Sequence, residues 1–324
     1  MHRELRFASV GTSSIMDVMQ EAMSLTPSVS CRVVYSRSLQ RGADYAEKMG
    51  IPEADDDFER VCRREDIDAV YIASPNAFHV EQALTALSCG KHVIVEKPAD
   101  VTAAGVDALA KEAEKNHVYF FEAITTIFMP NYLACKELLP RMGKIHTVDI
   151  RYGKYSSKMD AYLRGENPNI FNPAMKTGAL NDMGIYCIHM AVDLFGEPVS
   201  LRYEPVFGEN GIDLEGTLYL DWEGLSGVLQ TAKNREILNG CRIAGENGFF
   251  EEDGHINVFE ICRARIGEEE IQIRYQNGEN RMLYELARFR DAINDRDEAF
   301  FKRMVRQSRT ACAVLEEAHR QTDQ

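Results

Sequence analysis

Apolar residues in the first 120 positions follow two alternating periods. Short, nearly continuous apolar runs, "LRFASVG", "SCRVVYS", "DAVYIAS", "KHVIVEK" and "VYFFEAI", read as strands. Between them "IMDVMQEAMSL", "LQRGADYAEKMG", "AFHVEQALTALSCG" and "TAAGVDALAKEAEKNH" carry helical spacing. Strands without an alternating polar face, each followed by a helix, imply a parallel sheet covered on both sides. Right-handed crossovers then give an α/β domain of the doubly wound, Rossmann type, expected over residues 1–122.

After residue 122 the period changes. A helix, "NYLACKELLPRMG", precedes "KIHTVDIRYGKY", then come a polar loop and the helical "GALNDMGIYCIHMAVDLFG". From about 200 to 275 alternating segments follow: "IDLEGTLYLDW", "LSGVLQTAKN", "GCRIAGENGFFEED", "INVFEICRARI" and "EIQIRY". They predict a large, mostly antiparallel open sheet with one solvated or partner-covered face. Residues 280–320 read as one long, charged, amphipathic helical stretch. Residues 123–324 are therefore expected to form a C-terminal α+β domain for substrate binding and oligomerisation. Its sheet is the expected face of a homodimer or higher homo-oligomer, because a large open sheet needs covering.

Composition narrows the partners. The 324 residues suit two domains of about 150 each, and 45% hydrophobic with 27% charged residues is ordinary for a soluble protein. A net charge of -14 without a long basic run argues against nucleic acid and anionic membrane surfaces. A small molecule in a locally basic pocket is compatible with it. The start "MHRELRFASVG" carries no signal-peptide pattern, and no segment approaches the roughly 20 apolar residues of a membrane helix. The cysteines at 31, 62, 89, 135, 187, 241, 262 and 312 form neither Cys-x-x-Cys nor a zinc-spaced cluster. They read as reduced thiols of a cytoplasmic protein with no metal site.

Candidate chemistry gathers at strand ends. "FASVGTSSIMDVMQ" has the form strand, turn, helix start, which suits a phosphate. Gly11, Ser13 and Met16 occupy the three positions of the Gly-x-Gly-x-x-Gly fingerprint. Gly11 keeps the tight turn, Ser13 is small enough for close approach, and Met16 should push the helix slightly outward. Backbone groups of Gly11, Thr12, Ser13, Ser14 and Ile15 are the expected pyrophosphate contacts. The second strand ends "VVYSRSLQR", with no acid from Cys31 to Gly42. Ser36 and Arg37 stand where an NAD-binding fold places the acid that grips the ribose. A guanidinium fork and a hydroxyl suit a 2′-phosphate, so NADP(H) is preferred and NAD(H) is possible. The bland alternative is a solvated Arg37 with either cofactor accepted. In "YIASPNAFHVEQALTALSCGKHVIVEKPA" one strand ends at Ser74-Pro75-Asn76 and the next at Glu96-Lys97-Pro98. Ligands of open parallel sheets bind beyond such carboxyl ends, so Gly11, Ser74 and Lys97 converge on one crevice.

"SPNAFHVEQALTALSCGKHVIVEKP" resembles the central signature of the Gfo/Idh/MocA family of nicotinamide-dependent oxidoreductases, and "GALNDMGIYCIH" resembles its second domain. Within the family the likeness is greatest to dimeric dihydrodiol dehydrogenases and NADP-linked sugar dehydrogenases. The resemblance implies that Lys97 is the catalytic lysine, Tyr186 the proton-transferring residue and Asp182 its companion acid. It also places Ser74, Pro75, Asn76, His79, Glu96 and Lys97 beside the cofactor. On a regular helix Asp182 and Tyr186 are i and i+4 on one face, with His189 near the same face. A cation near Tyr186 would favour tyrosinate and stabilise charge on a substrate oxygen. Plainer readings exist: Asp182 as a helix cap, Tyr186 as core packing, His79 as a helix-start residue. His189 is structural or substrate-adjacent, and Lys176 a substrate contact or a solvated loop lysine. Two further departures from the family pattern, Met129 for a common histidine and Lys176-Thr177-Gly178 for a glycine run, bear on the substrate.

The expected activity is interconversion of an alcohol and a carbonyl on a sugar, cyclitol or vicinal diol, with hydride transfer to or from nicotinamide. The alternatives are an NADP(H)-binding sensor without turnover and an NAD-linked sugar dehydrogenase.

Overall fold

Runs buried on both faces form the first sheet. It contains β1 (Leu5–Val10), β2 (Val29–Tyr35), β3 (Glu53–Asp55), β4 (Ala69–Ile72), β5 (His92–Glu96) and β6 (Phe120–Ala123). All pairs are parallel, in the order β3-β2-β1-β4-β5-β6. The order reverses between β1 and β4, which opens a crevice beyond their carboxyl ends. Helices α1 (Ser14–Leu25), α2 (Leu39–Met49), α3 (Phe58–Cys62), α4 (His79–Ser88) and α5 (Ala103–Lys115) make the crossovers. Their ends follow local chemistry. Ser38 and Thr102 accept from Arg41 N and Gly105 N at the starts of α2 and α5, and Gly50 ends α2 at φ 68°. The computed structural model describes residues 3–276 and 278–322.

The second sheet is eight-stranded. Its strands are β7 (Ile145–Gly153), β8 (Ser200–Phe207), β9 (Asp213–Trp222), β10 (Leu225–Ala232), β11 (Gly240–Gly245), β12 (Gly248–Glu252), β13 (Cys262–Ile266) and β14 (Glu269–Ile273). The order is β14-β13-β12-β11-β7-β10-β9-β8. Every pair is antiparallel except β7 with β10. On β9, Leu218, Leu220 and Trp222 are buried while Tyr219 and Asp221 alternate outward. "GCRIAGENGFFEED" is a hairpin in which Gly245 pairs with Gly248. Helices α6 (Pro130–Leu138), α7 (Met159–Leu163) and α8 (Ile185–Phe195) belong to the same unit. The segment expected as one helix over 178–196 begins instead with a π turn, Leu180–Gly184.

The stretch from 280 onward is two helices, α9 (Met282–Asp295) and α10 (Glu298–Thr322). Arg296 turns left-handed at φ 53°, and Asp297 Oδ1 then accepts from Phe300 N to start α10. Contacts group Asn280–Arg309 with Met1–Ala123, and Thr310 onward with Ile124–Glu279. Contacts thus group 280–309 with the first unit, whereas the expected boundary put all of 123–324 in the second. The reason is aromatic packing: Phe121 on β6 stacks on Phe289 at 4.7 Å and is flanked by Phe300 and Phe301.

Candidate active site

In the first unit the crevice is shaped mainly by backbone. Gly11 leaves β1 at φ 106°, donates to Tyr35 O (3.1 Å), and a Cβ on it would lie 2.8 Å from Ala73 O. Only glycine accommodates both demands. The first bonds of α1 run from Met16 N and Asp17 N to Ser13 O (2.9 and 3.3 Å), so Ser14 N and Ile15 N precede the helical ladder. Ser13 and Ser14 are exposed, and the Ser13 hydroxyl does not cap the helix. Met16, at the third fingerprint position, is completely buried.

Beyond β2, Ser36 is buried and Arg37 is exposed, with its guanidinium 5.4 Å from the centre of the Phe78 ring. Phe78 lies in the single turn Asn76–Phe78 that follows Ser74-Pro75, so the ends of β2 and β4 share this contact. Asp55 on β3 is committed to Arg60, whose Nε donates to Oδ2 at 2.9 Å. The Ser74 hydroxyl donates to Gln82 Oε1 (2.6 Å), a partner that sequence reasoning missed.

Two of the residues expected beside the cofactor are buried. His79 is completely buried, with Nδ1 2.9 Å from Pro98 O and Nε2 2.8 Å from Ser74 O. It braces the segment after β4 against the one carrying Lys97, and its ring nitrogens are spent on backbone. Burial pushes its pKa down, against the upward pull of both carbonyls. A neutral imidazole has one N–H for the two. Glu96 is also buried: its Oε1 accepts from Tyr71 OH (2.6 Å), and burial raises its pKa. Lys97, the next residue, is half-buried. The Lys97–Pro98 bond is cis, and Glu122, completely buried, accepts from Ala99 N at 2.9 Å.

In the second unit the site is shaped by buried charge. Gly178 (φ 121°) enters the π turn where a Cβ would collide with Asp213 Oδ1. Asp213 Oδ2 accepts from Leu180 N (2.7 Å) and Tyr203 OH (2.8 Å), which caps the turn. Burial, then the adjacent Asp213 charge, pushes the Tyr203 pKa up. Asp182, in the π turn, accepts from Lys233 Nζ at 2.8 Å. The π turn carries i→i+5 bonding, so Asp182 and Tyr186 do not keep the i, i+4 stacking of a regular α-helix. Such insertions frequently mark functional sites. Tyr186 is buried and packs edge-on against Tyr152 (5.4 Å), which in turn meets His255 (5.7 Å). His189 is completely enclosed, which gives it a place in the core instead of a surface for substrate. Lys176 is exposed and left-handed at φ 52°, and its carbonyl accepts from Asn181 Nδ2 (3.1 Å). Among the described residues no group of three or more His, Cys, Asp or Glu side chains is arranged to hold a metal, and no helix is long and apolar enough to cross a membrane.

Asp213 and Lys233 were not singled out in the sequence. Asp213 opens an alternating strand and Lys233 ends one, positions where polar residues are ordinary. Only their contacts with the π turn reveal their roles.

Comparison with known proteins agrees with this geometry. Residues 5–123 match the family described as "Oxidoreductase family, NAD-binding Rossmann fold", and residues 132–251 match the "GFO/IDH/MocA C-terminal domain". The uncharacterised oxidoreductase YgjR of Escherichia coli (strain K12) is 35% identical over 291 residues, 90% of this chain and 89% of that protein. The scyllo-inositol 2-dehydrogenase (NADP(+)) IolU of Bacillus subtilis (strain 168) is 34% identical over 327 residues, 98% of this chain and 97% of that protein. The 3-ketoreductase KijD10 of Actinomadura kijaniata, solved with NADP and TDP-benzene, shares the fold at a TM-score of 0.86. It has 18% identity, and 98% of each chain is covered. With both domains matched and full-length relatives above 30% identity, this chain belongs to the Gfo/Idh/MocA family of oxidoreductases.

Proposed function

We propose that this protein is an NADP(H)-dependent dehydrogenase or reductase interconverting an alcohol and a carbonyl on a sugar, cyclitol or vicinal diol. The observation that carries the cofactor preference is the end of β2. Ser36 and Arg37 stand there without an acid, and Arg37 is held against Phe78. A carboxylate at that place would repel a 2′-phosphate, whereas a guanidinium attracts it. The turn at Gly11 fits a pyrophosphate, because the N–H groups of Ser14 and Ile15 precede the bonded ladder of α1 at its N-terminus. IolU, named for scyllo-inositol and NADP(+), supports both the substrate class and the cofactor.

A bound nicotinamide supplies the hydride acceptor or donor. The proposed catalytic set is Lys97, Asp182 and Tyr186. Tyr186 takes the substrate hydroxyl proton during oxidation and returns it during reduction. The Lys97 ammonium stabilises negative charge on the substrate oxygen. Asp182 orients the hydroxyl. Fluorescence titration should show NADPH binding more tightly than NADH; tighter NADH binding overturns the preference. Lys97→Ala should abolish NADP+-dependent oxidation of scyllo-inositol and related sugars while circular dichroism stays unchanged. Nucleotide binding without turnover across such a screen favours the sensor reading.

The outward face of β8 and β9, which carries Arg202, Glu204, Tyr219 and Asp221, is the proposed homodimer surface. Mixed charge of this kind can complement itself across a two-fold axis. A monomer in light scattering rejects it. Among the described residues the eight cysteines form no disulfide, which fits a reducing, cytoplasmic compartment.

A further inference from the structure

Lys233 follows the last residue of β10, and its side chain is 2% exposed. An ammonium so deep is rare unless it is paired. Its Nζ donates to Asp182 Oδ2 at 2.8 Å and to Ile170 O at 3.4 Å, and lies 5.1 Å from the centre of the Phe171 ring. The backbone is fixed as well: Lys233 N donates to Leu214 O and Ser156 N donates to Lys233 O, both at 2.8 Å. One cation therefore joins three segments: the end of β10, the π turn that leads into α8, and the Pro168–Phe171 turn. That turn packs into a small separate core of Met159, Phe171 and Ile212.

Stability alone does not account for this pair. Buried ion pairs are commonly no more stabilising than apolar residues of the same volume. The Asp182 carboxylate keeps 24% of its surface exposed, so one oxygen is anchored while the group still meets its surroundings. The other charged or titratable groups at this turn are engaged: Asp213 with Leu180 N and Tyr203 OH, and His319 with Asn181 Oδ1.

We propose that Lys233 is a positioning residue: its ammonium fixes the orientation of the Asp182 carboxylate and clips the 168–171 turn to the helix that carries Tyr186. This rests on the reading of Asp182 and Tyr186 as catalytic. Lys233 touches no reacting atom in this account and acts only through Asp182.

The test compares Lys233→Met, Lys233→Arg, Asp182→Asn and the Lys233→Met/Asp182→Asn double variant in the full chain. Turnover of scyllo-inositol with NADP+ is measured, together with NADPH affinity and hydrogen exchange over residues 165–190. Lys233→Met is expected to lower kcat about 10- to 100-fold, the scale of a small misplacement at a reacting centre. NADPH affinity should stay unchanged. The acid limb of kcat/KM should move to higher pH, because the cation that favours the carboxylate is gone. In the Asp182→Asn background the same change should add little, since the two residues act as one unit. Exchange around 168–184 should rise in each single variant and no further in the double. If Lys233→Met fails to fold, Lys233→Arg, which keeps the charge, takes its place and should retain part of the activity. A folded Lys233→Met protein with wild-type kcat, pH profile and exchange overturns the proposal, as do fully additive effects. Full activity in Asp182→Asn sinks the catalytic reading instead, and the exchange measurement then decides the clamp alone.

Discussion

In the first unit the candidate site is made of main chain, whereas in the second it is made of buried side-chain charge. At the turn after β1, Gly11 N, Tyr35 O and Ala73 O set the geometry, and the Ser13 hydroxyl does not even cap its helix. At the π turn, Asp213, Tyr203, Asp182 and Lys233 set it. A backbone-built site tolerates changes of side chain but no new Cβ at its narrowest point. A charge-built site is sensitive to single atoms, because each buried polar group left alone costs about 1–3 kcal/mol.

The sharpest way to break this comparison is Gly178→Ala. It places a left-handed alanine against Asp213 and removes the cap of the π turn. We expect a loss of about 3–5 kcal/mol in urea unfolding, combining backbone strain with an orphaned buried carboxylate. Gly11→Ala should cost less stability, about 1–3 kcal/mol, yet remove NADPH binding in a fluorescence titration.

The two units also answer pH in opposite directions. Burial lowers the pKa of His92 to about 4, and its Nδ1 accepts from Tyr119 N at 3.0 Å. Its contribution is intact above the ordinary value of 6.5 and is lost as pH falls toward 4. We expect up to about 2 kcal/mol, discounted for part exposure. Burial raises the pKa of Glu252 to about 7, so its contribution is complete below 4.5 and disappears as pH rises through 7. Hydrogen exchange resolved along the chain, at pH 4.5 and 7.5, should show β5 and β6 loosening in acid and β12 loosening near neutrality. His92→Gln and Glu252→Gln should each flatten one trend; trends that persist in these variants refute the assignment. The smallest effect is expected from Ser13→Ala. It should change stability by less than about 0.5 kcal/mol and leave NADPH affinity nearly intact. A large loss would show that the hydroxyl, and not the main chain, holds the phosphate.

Much of the first unit was legible because its strands are apolar on both faces and its turns carry glycine. β3 was not: Glu53, Ala54 and Asp55 form a three-residue edge strand without a hydrophobic period. In the second unit the sheet showed through its alternation. The break at Arg296, which belongs to the first unit, did not show, since arginine in a left-handed cap has no sequence signature. The π turn hides for a similar reason, because "GALNDMGIYCIH" keeps a helical composition. Lys97, Asp182 and Tyr186 came from resemblance to a family. Lys233 and Asp213 needed the fold, because each meets the π turn from 30 or more residues away in sequence. The side-chain partners of His79 and Glu96 were not legible, because membership in a signature does not say which way a side chain turns.

The return of residues 280–309 to the first unit has a practical meaning for recombination. A nucleotide-binding module cut at Ala123 would leave behind Phe289, Phe300 and Phe301, the ring partners of Phe121. It would expose an aromatic face and invite aggregation. A transferable module is therefore two stretches of chain, 3–123 and 280–309, and a chimaera has to exchange 124–279 together with 310–322. The two units therefore interleave along the chain, and α10 belongs to both.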